Sequence, residues 1–270
     1  MVDEATRSRH DAAVAGDPDL ADAIRRLAET PRLLVALDFD GTVSPLVDNP
    51  ADSRVIPEAR SALDLLEHTP DTWVAFVSGR PLDGLIRVTE ADESALLIAS
   101  HGVEVRLTGG AVDVGLSDGE RSRLAALAVE LDRIVAATPG SKIEHKPVGL
   151  GLHTRGVPTN AAAAANEQAR AAAHAIGGGF LERAGKDILE FAVRDATKGD
   201  GIERLREHVG ATGVLYAGDD VTDEDGFAVL TSDDVGVKVG PGETRAGFRV
   251  ADPDVVAGLL QSLASLRARN

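Results

Sequence analysis

Four short apolar runs each stop abruptly at a group of polar residues, and this pattern constrains the fold more than any other feature. Leu33-Leu34-Val35-Ala36-Leu37 leads into Asp38-Phe39-Asp40-Gly41-Thr42, and Trp73-Val74-Ala75-Phe76-Val77 into Ser78-Gly79-Arg80. Ala95-Leu96-Leu97-Ile98-Ala99 precedes Ser100-His101-Gly102, and Val214-Leu215-Tyr216-Ala217 precedes Gly218-Asp219-Asp220. An apolar run without alternation suits a strand covered on both faces, as in a parallel sheet. Helical stretches intervene: Pro57 opens one carrying Ala59, Leu63, Leu65 and Leu66, and another runs from about Lys198 to Val209. Strands alternating with helices predict a doubly wound α/β fold. Ligands of such folds bind beyond the carboxyl ends of the strands, where this chain places its polar residues.

The rest of the 270 residues arranges itself around that core. Residues 1 to about 17 read as a loose tail. Leu20, Ile24 and Leu27 then share one face of a helix from Asp19 to about Thr30, closed by Pro31. Residues 1–30 thus form an N-terminal tail and helix, 31–107 and 195–270 a discontinuous core, and 108–194 an insertion. Within the insertion, Ser117-Asp118-Gly119-Glu120 forms a capping box ahead of Leu124, Leu127, Leu131 and Ile134. Lys142 to Arg155 alternates like a strand, and an alanine-rich helix covers about 160–176. After Gly177-Gly178-Gly179, a strand spans about Ile188–Val193. This is the pattern of a small α+β domain with linkers near 107 and 195.

Composition removes whole classes of function. The chain has no cysteine, so thiolate metal sites, disulfides and cysteine nucleophiles are excluded. A formal net charge of −16 disfavours nucleic acid and anionic membrane as partners. No apolar run approaches the roughly 18 residues of a membrane span, and the charged start lacks the apolar segment of a signal peptide. The expected location is cytoplasmic.

The chemistry lies in the two acidic groups. Asp38-x-Asp40 alone is an ordinary polar turn, and Gly218 to Asp225 alone an ordinary solvated charge run. Carboxylates brought together from two strand ends repel unless a cation separates them, and hard oxygen ligands suit Mg²⁺. An EF-hand is excluded: with Gly226 sixth in the loop, Val221 and Ser232 occupy the first and last ligand positions. Ser78 adds a hydroxyl and Lys198 a positive charge, which a phosphoryl group requires in so acidic a protein. A phosphate loop of the Walker type fails as well, since Asp187 follows Gly185-Lys186 where Ser or Thr is needed. No Gly-x-Ser-x-Gly elbow of a serine hydrolase occurs.

Asp38-Phe39-Asp40-Gly41-Thr42, Val77-Ser78-Gly79-Arg80, Lys198-Gly199 and Gly218-Asp219-Asp220 resemble, in this order, the four motifs of the haloacid dehalogenase superfamily. Ser100 to Glu104, Gly185 to Phe191 and Gly218 to Phe227 narrow the resemblance to the trehalose 6-phosphate phosphatase family, over about residues 31–262. The resemblance implies a doubly wound, Rossmann-like parallel-sheet core with an inserted α+β cap. It implies a Mg²⁺-dependent phosphatase releasing trehalose from trehalose 6-phosphate through an aspartyl-phosphate, as the last step of trehalose biosynthesis. Asp38 would be the nucleophile and Asp40 the general acid and base. Ser78, Gly79, Lys198 and Thr42 would hold the phosphoryl group. Mg²⁺ would sit on Asp38, the Asp40 carbonyl and Asp219, with Asp220 and Asp223 supporting. Arg80 would touch substrate or pair with a core acid. Lys146, Arg155, Lys186 and Glu190 are candidates for sugar contacts, against surface salt bridging as the plain alternative. His101 reads as a structural histidine, with a role at the edge of the site as the alternative, and His10, His68, His174 and His208 as surface or helix residues. The expected partner is a small sugar phosphate, with functional coupling to a trehalose 6-phosphate synthase. Phosphatases of other sugar phosphates, such as sucrose 6-phosphate, and a non-catalytic sugar-phosphate sensor are the competing readings.

Overall fold

The computed structural model describes residues 17–177 and 179–269, so nearly all of the expected tail, with His10, lies outside the described residues. The chain divides into two compact units. One comprises residues up to Asp113 and those from Ala196 onward, the other Val114–Asp195.

The large unit is built on strands β1 (Leu33–Asp38), β2 (Thr72–Val77), β3 (Leu96–Ala99), β4 (Glu104–Arg106), β5 (Val112–Asp113), β10 (Gly213–Gly218), β11 (Val235–Val239) and β12 (Phe248–Val250). They form one sheet in the order β12-β11-β10-β1-β2-β3-β4-β5. All pairings are parallel except those of β4 and β5, two short antiparallel strands that extend the edge where a linker was expected. The central β1 and β10 are buried along their whole length, as their unbroken apolar runs require. Leu33, Val35 and Leu37 pack with helices α1 (Pro18–Ala28), α2 (Pro57–Glu67), α3 (Leu82–Thr89) and α8 (Pro253–Arg267). Leu34 and Ala36 face the other way, onto α6 (Lys198–Val209) and α7 (Asp223–Ala228). Burying each such side chain contributes about 1.5–3 kcal/mol. The two-residue period of β1 then sends Asp38 to the α6 face, and with it the chemistry.

Two caps fix α6. Thr197 accepts from the Asp200 amide while the Asp200 carboxylate accepts from Thr197, and Gly210 ends the helix in the left-handed region at φ 62°. Lys198 is therefore held in the first turn, at the carboxyl end of the sheet.

The small unit contains α4 (Asp118–Ala137), β6 (Lys142–Lys146), β7 (Gly149–His153), α5 (Thr159–Ala175), β8 (Leu181–Gly185) and β9 (Ile188–Ala192). Its antiparallel sheet runs β6-β7-β9-β8. Leu150, Leu152, Leu189 and Phe191 pack on Leu127, Leu131, Ala165 and Ala169 of the helices. The expected single strand over Lys142–Arg155 is instead a hairpin, with Pro147-Val148 in its turn. Proline lacks the amide a continuous strand needs, and the inward positions change phase across it, from Ile143 to Leu150 and Leu152. β8 was also unforeseen, being exposed throughout.

The capping box at α4 is present, and Glu120 also takes two hydrogen bonds from Arg194, at 3.1 and 2.9 Å. Those bonds, then the ones from Ser117, hold the Glu120 pKa down at about 2 against an ordinary 4.5. A carboxylate with a depressed folded pKa stabilises the fold above its unfolded pKa and loses that contribution as pH falls through the folded value. Glu120→Gln is therefore expected to melt below the wild type at pH 7, with the gap closing between about pH 4.5 and 2. Melting curves over that range test it, and a gap independent of pH would refute it. Among the described residues no helix is long and apolar enough to cross a membrane.

Candidate active site

The carboxyl ends of β1 and β10 and the first turn of α6 meet at a buried charge cluster. Lys198 Nζ donates at 2.6 Å to Asp38 Oδ1 and at 2.6 Å to Asp223 Oδ1. Asp38, Lys198 and Asp223 are all buried. Asp223 also accepts from the hydroxyl of the buried Tyr216 and, at 2.8 Å, from the Asp220 amide. Burial raises the Asp38 pKa well above the ordinary value; the Lys198 charge opposes this, and Asp223 and Asp219 add to it. Burial also acts against the Lys198 charge, but the two aspartates outweigh it and its pKa rises.

Carboxylate oxygens of Asp38, Asp219 and Asp223 lie within 4.8 Å of one another. Three carboxylates facing a single ammonium leave negative charge uncompensated. Burial and the Asp223 charge accordingly push the Asp219 pKa up. An all-oxygen donor set with surplus negative charge fits a hard divalent cation. Asp38 and Asp219 of the expected set are among them, and Asp223, expected in support, is the third. Asp223, at the start of α7, joins Asp38 and Asp219, while Asp220 turns its carboxylate to the Val221 amide at 2.7 Å. Gly41 permits this approach: at φ 84° it is left-handed, and a Cβ there would lie 2.1 Å from Asp219 Oδ2.

Asp40 points away from the cluster. Arg80 holds its carboxylate with two bonds of 2.7 Å, and Ser53 Oγ adds one at 3.0 Å. Burial acts to raise its pKa, but Arg80 and Ser53 prevail and it lies below the ordinary value. Of the two roles open to Arg80, pairing with a core acid is the one observed. Ser78 is buried, and its Oγ accepts from the Arg80 amide at 3.1 Å. The Thr42 hydroxyl is buried without a hydrogen-bond partner, an orphan that a phosphoryl oxygen would satisfy. Asp38, Asp40, Ser78, Gly79, Arg80, Lys198 and Asp219 line one cavity of about 480 Å³.

Two residues of this region escaped the sequence reading. Tyr216 and Lys238 are polar groups inside apolar strands, which is the one signal that marks them. Lys238 is buried and donates to the carbonyls of Asp219 and Val239, fixing the turn that carries the acid. His101 lines the cavity, in keeping with the site-edge alternative.

Of the four candidates in the small unit, Lys146 and Glu190 form an ion pair on the open face of its sheet. Arg155 and Lys186 lie beyond the other end, where the Thr154 amide bonds the Asp187 carbonyl. The register separates that end from Lys146 by four residues, about 13 Å at strand rise. The structure thus gathers two of the four. His153 and Glu144, 2.8 Å apart, complete a polar row around the floor at Gly151.

The family model described as trehalose-phosphatase matches residues 36–254. A trehalose-6-phosphate phosphatase of Escherichia coli is 31% identical over 85% of this chain and 87% of its own. A bifunctional trehalose-6-phosphate synthase/phosphatase of Thermoproteus tenax is 33% identical over 87% of this chain, which spans only 32% of that protein. Among solved structures, trehalose-6-phosphate phosphatase of Aspergillus fumigatus superposes with a TM-score of 0.63 at 26% identity, covering 91% of this chain and 97% of its own.

Proposed function

The chain belongs to the trehalose-phosphatase family, and from that premise we propose that it hydrolyses trehalose 6-phosphate to trehalose and phosphate. The observation that carries the reading is the buried Lys198 ammonium shared by Asp38 and Asp223, beside Asp219. A binding module has no use for a buried nucleophile held in this way.

Asp38 attacks phosphorus: a bond forms from its carboxylate oxygen as the bond to the sugar oxygen breaks. Lys198 and Ser78 hold the phosphoryl oxygens, with the Thr42 hydroxyl. Asp40, once it has taken a proton from solvent, gives that proton to the departing sugar oxygen. To do so it must leave Arg80, since in the pair with Arg80 it is held ionised. As a carboxylate it then takes a proton from water, whose oxygen attacks the aspartyl-phosphate and frees Asp38 and inorganic phosphate. Asp38, Asp219 and Asp223, with the Asp40 carbonyl, are the groups to hold Mg²⁺, which when bound offsets phosphoryl charge. Lys146, Arg155, Lys186 and Glu190 of the small unit are assigned to sugar hydroxyls. The fused relative of Thermoproteus tenax supports coupling to a synthase that supplies the substrate.

Phosphate release from trehalose 6-phosphate, sucrose 6-phosphate, glucose 6-phosphate and a mannosyl phosphate, with Mg²⁺ and with excess chelator, tests this. The expected result is a kcat/KM for trehalose 6-phosphate at least about tenfold above the others, and none of it with chelator. Preference for another sugar, or turnover unaffected by chelator, would overturn the proposal.

A further inference from the structure

We propose that His101 is a phosphoryl-binding residue, its imidazole standing beside Ser78 and Lys198 to donate a ring N–H to the phosphate of the substrate. This deepens, and rests on, the phosphatase reading above.

His101 shares the cavity wall with Asp38, Ser78 and Lys198. Its ring has no hydrogen-bond partner among the described residues, and the residue is exposed. The ring lies over Gly79, where a Cβ would come within 2.4 Å of its Cε1 and Nε2. Glycine at 79 thus leaves the space that the imidazole fills.

The backbone is arranged to present this ring. Ser100 and His101 are both left-handed, at φ 49° and 55°. That conformation is unfavourable for residues bearing a Cβ and persists only where the surroundings enforce it. Here the Ser100 amide donates to the Arg80 carbonyl at 2.8 Å and the His101 amide to the Ser78 carbonyl at 3.1 Å. The Ser100 hydroxyl reaches Glu104 at 2.8 Å, and Gly102 lies so close to the Thr197 carbonyl that no Cβ fits. The turn after β3 is therefore tied to both loops that flank the phosphate position. Although the residue as a whole is exposed, partial desolvation and the Lys198 charge hold the imidazole below its ordinary pKa, with Asp220 and Asp223 opposing them.

The test is His101→Gly, a substitution that relaxes the left-handed backbone instead of straining it. Inhibition by inorganic phosphate in the presence of MgCl₂ is measured, with kcat/KM on trehalose 6-phosphate and on p-nitrophenyl phosphate. The expected result is an unchanged or higher melting temperature and a phosphate inhibition constant raised about 10- to 100-fold. Losses of kcat/KM on the two esters should be proportionate. Unchanged phosphate inhibition overturns the proposal, whether melting falls or the loss is confined to trehalose 6-phosphate. Should His101→Gly fail to fold, His101→Ala, which also lacks a side-chain donor, carries the same measurements. A wild type active on p-nitrophenyl phosphate but not on trehalose 6-phosphate would sink the proposed substrate and leave His101 standing.

Discussion

Asp38→Asn should lower turnover on every phosphate ester by at least about 10⁴-fold, because an amide cannot form the covalent intermediate. The fold should survive unharmed. Asn keeps the size of Asp and an oxygen that can accept from Lys198, so the 2.6 Å contact has a replacement acceptor. It also removes one of three carboxylates crowded within 4.8 Å, a repulsion the metal-free protein carries at a cost. A melting temperature equal to or above that of the wild type, measured in excess chelator, is therefore expected beside the lost activity. Residual turnover within 100-fold of the wild type would remove Asp38 from the nucleophile's role. A collapse of the fold would show instead that the Asp38 charge is needed to hold Lys198.

Lys198→Met should damage both activity and stability. Removing one member of a buried ion pair leaves the others without compensation, at about 3–5 kcal/mol. Here two buried carboxylates, Asp38 and Asp223, lose the same partner. Denaturant unfolding in excess chelator should show a loss of that order, and Mg²⁺ should restore part of it. Turnover should fall at least about 10³-fold, since the charge that faces the phosphoryl oxygens is gone. Adding Asp223→Asn should recover stability without recovering activity, which separates the two roles. A Lys198→Met protein as stable as the wild type would contradict the account of the cluster.

The chemistry was legible because each catalytic group follows an apolar run, and such runs are strands that must end at one rim of a parallel sheet. Asp38, Ser78 and Asp219 could be placed together from that rule, whereas Lys198 opens a helix and joined them through the family resemblance. What it could not supply is the direction of a side chain. Asp220 and Asp223 are equivalent in a run of acids, and only the first turn of α7, with its amide and hydroxyl partners, selects Asp223. The Arg80–Asp40 pair spans 40 residues and has no local signature. The choice between a structural and a site-edge His101 stayed open because a histidine beside a glycine at a strand end says nothing of left-handed backbone. The hairpin at Pro147 was missed for a different reason: its sign is a proline and a shift of phase between Ile143 and Leu150, not a break in the alternation within either arm.

The position of β1 between β2 and β10 has a consequence for biosynthesis. Leu33 pairs with Thr72 on one side but with Gly213 on the other, and Asp38 meets Lys198 only across 160 residues. At ordinary ribosomal speeds the central strand waits roughly 10–35 s for its second neighbour to be translated. During that interval an apolar strand exposes a bare edge, the surface most prone to mispairing with other nascent chains. The 114–195 segment closes its own core in the meantime, with every strand pairing within itself. Chaperone demand during expression should therefore centre on the first hundred residues and lapse once β10 has emerged.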